Sequence, residues 1–253
     1  MKLSLSNGIL ASYPLAENIA ALKKLGFTNL EFNMKCVEEE DEKAAYSAKK
    51  LIETHELNCL TLHSATLPVK NETEIPKAIY YVKVSADFAS KLSAPVMVIH
   101  SNVARKLPEK TRKKFLMRIF GELNPHAKRL GVRLALENLS NASKSYGSNP
   151  AELEEVLDII DGDVGVTLDF CHAETTEQTL SLLETYGNRL LNVHVSNRQH
   201  QPFNRETKAL KGFFAKLREY EYSGPLTIEL NPKCTTEMIL QTKVIIENIL
   251  DKV

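Results

Sequence analysis

Eight short apolar stretches of this chain each end in, or enclose, one polar residue, and they recur at a steady interval. The residues are Asn7, Glu31, His63, His100, Glu137, Asp169, His194 and Glu229. Their stretches read KLSLS, TNLEF, NCLTL, APVMVI, VRLAL, VGVTL, LLNVHV and PLTIE. Neighbouring residues in this series lie 24, 32, 37, 37, 32, 25 and 35 positions apart. That is the length of one β-strand plus one crossover helix. A chain built of such units forms a parallel sheet, because each helix carries it back to begin the next strand in the same direction. Reactive groups of a barrel of this kind stand at the carboxyl ends of its strands.

Strands are expected at 3–7, 28–32, 58–62, 95–99, 132–136, 164–168, 190–195 and 225–229. Helices are expected near 15–25, 41–55, 74–92, 108–130, 150–161, 175–186, 206–220 and 235–250. Leu15, Ile19, Leu22 and Leu25 recur at helical spacing in the first helix. Gly26 and Gly131 read as stop signals, and Pro150 sits where a helix start tolerates a missing N–H. An open doubly wound sheet would share this order. Eight units and no glycine-rich fingerprint after the first strand favour a closed eight-stranded parallel (β/α)8 TIM barrel, an α/β fold spanning 1–253 as one domain.

Composition narrows the functional classes. Lys plus Arg and Asp plus Glu both number 32, a formal net charge of zero, which argues against a chain devoted to gripping a nucleic acid backbone. Cys36, Cys59, Cys171 and Cys234 are scattered without a CxxC pair, which reads as reduced thiols in a cytoplasmic protein. The N-terminal MKLSLSNGILASYPLA is too broken by polar residues for an export signal and fits the first barrel strand better. No apolar run approaches the ~20 residues needed to cross a bilayer, so no membrane partner is expected.

Glu137, Asp169, His194 and Glu229 stand at the ends of strands five to eight, where a closed barrel brings them to one rim although they span 92 residues. Two or three carboxylates with one imidazole suit a divalent ion such as Mn²⁺, Mg²⁺, Co²⁺ or Zn²⁺. Any one of them alone reads equally well as a strand-end cap. Arrival of all four in phase points to a metal-dependent enzyme.

ALEN (135–138), TLDFCH (167–172), NVHVSN (192–197) and TIEL (227–230) resemble the strand motifs of the xylose isomerase-like barrels. That group includes sugar isomerases, ketose 3-epimerases, hydroxypyruvate isomerases, inosose dehydratases and the endonuclease IV group. The resemblance implies one divalent metal held by Glu137, Asp169, His194 and Glu229. It also implies that Glu137 and Glu229 move protons on opposite faces of a ketose, either a neutral sugar or a sugar phosphate. The chemistry agrees, since a polarised carbonyl acidifies the neighbouring carbon and a carboxylate in reach can take its proton. His172, in the D-x-x-H position, is expected to touch substrate. His63 and His100 are expected to line the substrate pocket, or with Glu137 to hold a second metal. Glu31 is expected as a pocket or structural residue.

Two departures bear on the alternatives. A third zinc of the endonuclease type needs an Asp-x-His after strand seven, where this chain has Arg198-Gln199-His200. Arg198 and His200 are therefore expected at the substrate instead. The frequent H-V-S-D reads His194-Val195-Ser196-Asn197. A zinc-dependent endonuclease for abasic sites and a barrel that binds a metal or ligand without turnover stand as alternatives. The loops at the rim carry Lys70, Arg105, Lys106, Lys144, Arg198, Arg205 and Lys233, which read as phosphate receivers or as solvated charge beside Glu38–Glu40 and Glu72. The basic run Lys110, Arg112, Lys113 and Lys114 reads as an exposed helix face, and His55 and His126 as structural. The expected partner is a small sugar or sugar phosphate, and the chain could assemble as a homo-oligomer.

Overall fold

The computed structural model describes residues 1–252 except 40, 161, 162 and 174. Glu40 of the acidic run and the expected end of the fifth helix at 161 lie outside the described residues. Eight strands close in sequence order: β1 (Lys2–Ser6), β2 (Asn29–Asn33), β3 (Asn58–His63), β4 (Val96–Ile99), β5 (Arg133–Glu137), β6 (Gly165–Asp169), β7 (Leu190–Val195) and β8 (Pro225–Ile228). Every pairing is parallel, including the closure of β1 on β8. The connecting helices are α1 (Leu15–Lys24), α2 (Glu42–Thr54), α3 (Ile75–Lys91), α4 (Glu109–Arg129), α5 (Pro150–Ile159), α6 (Thr176–Tyr186), α7 (Lys208–Glu219) and α8 (Thr236–Leu250). No helix among the described residues is long and apolar enough to cross a membrane.

Helix ends follow from local chemistry. Asp41, Asn149, Thr175, Thr207 and Thr235 each accept a backbone N–H in the first turn of the helix they precede. Gly26 and Gly131 take left-handed conformations, with φ of 73° and 70°, and reverse the chain into β2 and β5. The outer face of the sheet packs on the helices through Phe32, Phe88, Phe115, Phe120, Phe213 and Phe214, all essentially inaccessible.

The inside of the barrel is chemically different. Ser4, Thr61, Thr167, Asn192 and Thr227 are fully buried there, where barrels of this kind commonly pack Val, Ile and Leu. Ser4 Oγ donates to Thr227 Oγ1 (2.7 Å), Thr227 Oγ1 to Asn192 Oδ1 (3.1 Å), and Asn192 Nδ2 to Glu31 Oε2 (3.3 Å). The β6–β7 register slips by one residue, with Val166 facing Leu190 and Thr167 facing Asn192. The residue passed over, Leu191, packs with Val96 and Ala135 in a small separate apolar cluster. Gly165 makes that possible, since a Cβ there would lie 2.5 Å from Leu191 Cγ.

Candidate active site

The carboxyl ends of the strands deliver the expected residues to one place. Among the described residues, Glu137, Asp169, His194 and Glu229 each offer a ligand atom within 4.8 Å of the others. His194 is the hub. Its Nδ1 lies 3.2 Å from Glu229 Oε2, 3.3 Å from Glu137 Oε1 and 3.8 Å from Asp169 Oδ2. Its Nε2 faces the other way, 2.9 Å from Glu31 Oε2. Glu31 is fully buried, and the same oxygen accepts from Thr61 Oγ1 at 2.9 Å. A slip in the β2–β3 register, where Leu30 faces Cys59 but Glu31 faces Thr61, sets those two side by side. Because Nε2–H donates to the Glu31 carboxylate, Nδ1 is the nitrogen turned toward the acidic centre.

Three more histidines are anchored in the same way. His63 Nδ1 donates to Ser64 O (3.1 Å), His172 Nδ1 to Asn138 O (2.9 Å) and His200 Nδ1 to Glu229 O (3.2 Å). Their Nε2 atoms are left facing the cavity. His63 Nε2 and His100 Nε2 reach Glu137 Oε2 at 3.3 and 3.0 Å, while Glu137 Oε1 faces His194. His172 Nε2 and His200 Nε2 stand 3.2 Å apart. Asn138 ties β5 to β6 from its side chain, accepting from Asp169 N (2.7 Å) and donating to Asp169 O (3.1 Å).

The donor set fits a divalent cation. Among the described residues Asp169 Oδ2 is buried without a hydrogen-bond donor, and three carboxylates crowd one largely buried point. Such a group of charges is costly unless a cation or several imidazoles compensate it. His63–His100–Glu137 and Asp169–His172–His200 form two further sets with ligand atoms within 4.8 Å.

The electrostatics reflect this crowding. Burial opposes charge on His63 and His172, yet Glu137 in the first case and Asp169 in the second outweigh it, raising them to about 9 and about 10. His194 is likewise raised against its burial by Glu31, Glu229 and Glu137. Burial also opposes charge on Glu137 and Glu229, but His194 and neighbouring imidazoles hold both below the usual carboxylate range. Asp169 goes the other way: burial dominates and raises it.

These groups open into a cavity of about 530 Å³ at the rim, a size suited to a small molecule. His63, His100, Glu137, His172, His200 and Glu229 line it, as do Asn33, Lys35 and Ser64, which the sequence reading did not single out. Their signal was position alone, just beyond Glu31 and His63 on neighbouring strands. Arg198 is exposed on the turn 198–200 and is not among the lining residues, so it does not join the other expected substrate contacts. The expected ring of rim cations does not line the cavity either. Arg105, for instance, is spent on Glu152 (3.3 Å) and Asn141 O (3.2 Å). Arg112 departs from the exposed face expected of its run: its side chain is 14% exposed and lies 4.0 Å over the Tyr146 ring. His126 is structural, paired with Asp87 at 2.8 Å.

Comparison with known proteins places this arrangement. A curated relative, the uncharacterized protein MJ1311 of Methanocaldococcus jannaschii, is 24% identical over 171 residues, covering 63% of this chain and 58% of its own length. The chain thus matches less than two thirds of that relative. A solved D-tagatose 3-epimerase-like protein superposes over 100% of this chain and 98% of its own, with TM-score 0.84 and 20% identity. An L-ribulose 3-epimerase covers 100% and 97%, with TM-score 0.84 and 14% identity. A family 2 AP endonuclease from Brucella melitensis covers 93% and 95%, with TM-score 0.77 and 16% identity. At such identities the structural likeness is one of fold. The sequence profile of the xylose isomerase-like TIM barrels matches residues 19–245, nearly the whole chain, and the protein belongs to that family.

Proposed function

We propose that the protein is a divalent-metal-dependent sugar isomerase or epimerase in which Glu137 and Glu229 exchange protons with the substrate. The observation that carries this reading is the approach of both glutamates to one nitrogen, His194 Nδ1, while both also line the cavity. Glu137, Asp169, His194 and Glu229 would hold the ion, which supplies Lewis acidity to the substrate's carbonyl and hydroxyl oxygens. Glu137 and Glu229 each have two oxygens, so one can hold the site together while the other faces substrate. One carboxylate removes the proton from the carbon beside the carbonyl, leaving the electron pair in an enediolate. The other glutamate, protonated beforehand, then delivers its own proton to the opposite face and inverts the centre, or the first glutamate returns the abstracted proton to the neighbouring carbon and the carbonyl moves. His63, His100, His172 and His200 would orient the substrate hydroxyls. The epimerases among the structural neighbours support this reading.

Deuterium uptake from D2O into a panel of ketoses and ketose phosphates tests it. Exchange should require added Mn²⁺, Mg²⁺, Co²⁺ or Zn²⁺ and stop with chelator. Glu137→Gln and Glu229→Gln should each lower it by ~10²–10⁴-fold, the usual contribution of general acid–base catalysis. Substantial exchange by both variants would restrict the glutamates to ligation.

One observation favours a second reading, a zinc phosphodiesterase acting on abasic DNA: three adjacent ligand sets share Glu137 and Asp169. Two or three zinc ions per chain with cleavage of an abasic duplex would establish it. One ion per chain with sugar exchange supports the first.

A further inference from the structure

The cavity has one wall that the acid–imidazole floor does not explain. Lys35 is the only lysine or arginine among its described lining residues. No Asp or Glu among the described residues lies within 4.0 Å of its ammonium. Its end lies over Gly8, where a Cβ would come 2.5 Å from Lys35 Cε and 2.8 Å from Nζ. The same absent Cβ would lie 3.0 Å from Asn33 Nδ2, so an ammonium and an amide donor meet over one glycine.

The backbone beneath this wall is held by buried asparagines. Asn33 Oδ1 accepts from Lys35 N at 3.1 Å, and Asn7 Oδ1 accepts from Asn33 N at 2.7 Å. Asn18 Nδ2, on α1, donates to Asn7 O (3.0 Å) and Leu10 O (2.9 Å) and fixes the segment after β1 that Asn7 joins to β2. Beside it, just past the end of the neighbouring strand β3, where His63 pairs with Asn33, Ser64 is 3% exposed, and its hydroxyl is buried without a partner among the described residues. A cation, an amide N–H and an unsatisfied hydroxyl thus face a space whose floor is carboxylate and imidazole.

We propose that Lys35, with Asn33 and Ser64, receives an anionic end of the substrate, so that the enzyme handles sugars bearing a phosphate ester or carboxylate rather than neutral ones. The reasoning is chemical. An exposed lysine would gain from a carboxylate of the protein but has none within 4.0 Å among the described residues, whereas the floor would repel an anion. A substrate with charge at one end is therefore oriented in one direction, its anion on the β2 wall and its carbonyl over the glutamates. Lysine serves as a point charge for either anion. This inference rests on the isomerase reading of the site.

Binding to the metal-loaded protein, measured by calorimetry beside deuterium exchange, tests it. The probes are D-fructose 6-phosphate, a hexulosonate (a ketose carboxylate) and D-fructose. Wild type should bind at least one anionic probe ~10-fold or more tightly than D-fructose, as a hydrogen bond to a charged group warrants. The two anionic probes separate phosphate from carboxylate. Lys35→Met should collapse that ratio to within about twofold, and Lys35→Arg should largely keep it. No anionic preference in wild type, a preference that survives Lys35→Met, or failure of every anionic probe to bind overturns the proposal. A Lys35-dependent preference without any exchange would leave the anion wall standing and remove the proton-transfer reading. Exchange on neutral ketoses that ignores Lys35→Met would do the reverse.

Discussion

The two halves of the rim treat one imidazole from opposite sides. Strands β5 to β8 surround His194 Nδ1 with Glu137, Asp169 and Glu229, whereas β2 alone meets Nε2, through Glu31. The first half concentrates ligand atoms at a cavity. The second buries its carboxylate completely, where it accepts from Thr61 of β3 and from Asn192, which β7 sends across the barrel. Both halves use glutamate, and only the environment separates a group placed to hold an ion from a group placed to orient the imidazole. The lesson is that residue type at a strand end identifies a site, while its role depends on which side of the imidazole it faces.

The sharpest way to break the comparison is to remove one member of the ligand half. His194→Ala or Asp169→Ala should abolish tight divalent binding in equilibrium dialysis while the far-ultraviolet circular dichroism stays that of a folded barrel. Strand-end residues at this face contribute to the site rather than to the core. Unchanged metal content in both variants would dissolve the proposed ligand set. Glu31→Gln comes next in size. No proposed ligand is lost, yet the amide cannot orient Nε2–H as a carboxylate does. Metal affinity should fall ~10–100-fold, the usual cost of losing such an outer partner. An affinity equal to wild type would make Glu31 a purely structural polar residue.

The smallest expected effect is on pH dependence. His63 at about 9 and His172 at about 10 in the metal-free fold lie above the ~6.5 of an unfolded histidine. Their charge therefore stabilises the metal-free protein fully below about pH 6.5, and that contribution is lost as pH rises through 9 and 10. The metal-free melting temperature should drop by a few degrees between pH 7 and 10. If His63 and His172 are also ligands, metal loading should flatten this slope, because a coordinated imidazole has already given up its proton. Parallel slopes with and without metal would assign both histidines to the substrate.

Much of this molecule was legible in the sequence for an identifiable reason. A strand exposed to helices on one side reads as an apolar run, and a polar residue ending it stands out, as at Glu137 and Asp169. The strand ends were placed to within a residue or two. Gly26 and Gly131 announced the ends of α1 and α4, but α2, α3 and α7 close with the same left-handed residue occupied by Glu56, Ser93 and Glu221, at φ of 51°, 60° and 53°. Nothing in those residue types signals the turn. Lys35 was hidden for another reason: it is one cation among 32, and only the folded loop over Gly8 brings it to the cavity while Arg105 and Arg198 stay away. Glu31 stood in the series from the start, but its partner nitrogen lies 163 residues away in sequence and could be assigned only across the closed barrel.

The hydrogen-bonded line from Ser4 through Thr227, Asn192 and Glu31 to His194 has a consequence for how this protein can change over generations. Each member is fully buried and satisfies the next, so these five positions are coupled. A substitution at Ser4, far below the rim, alters the acceptability of residues at Thr227 and Asn192 before it reaches the imidazole. Drift along this line should be strongly epistatic, with changes tolerated in compensating pairs, while the apolar residues on the outer face of the same strands accept substitution one at a time.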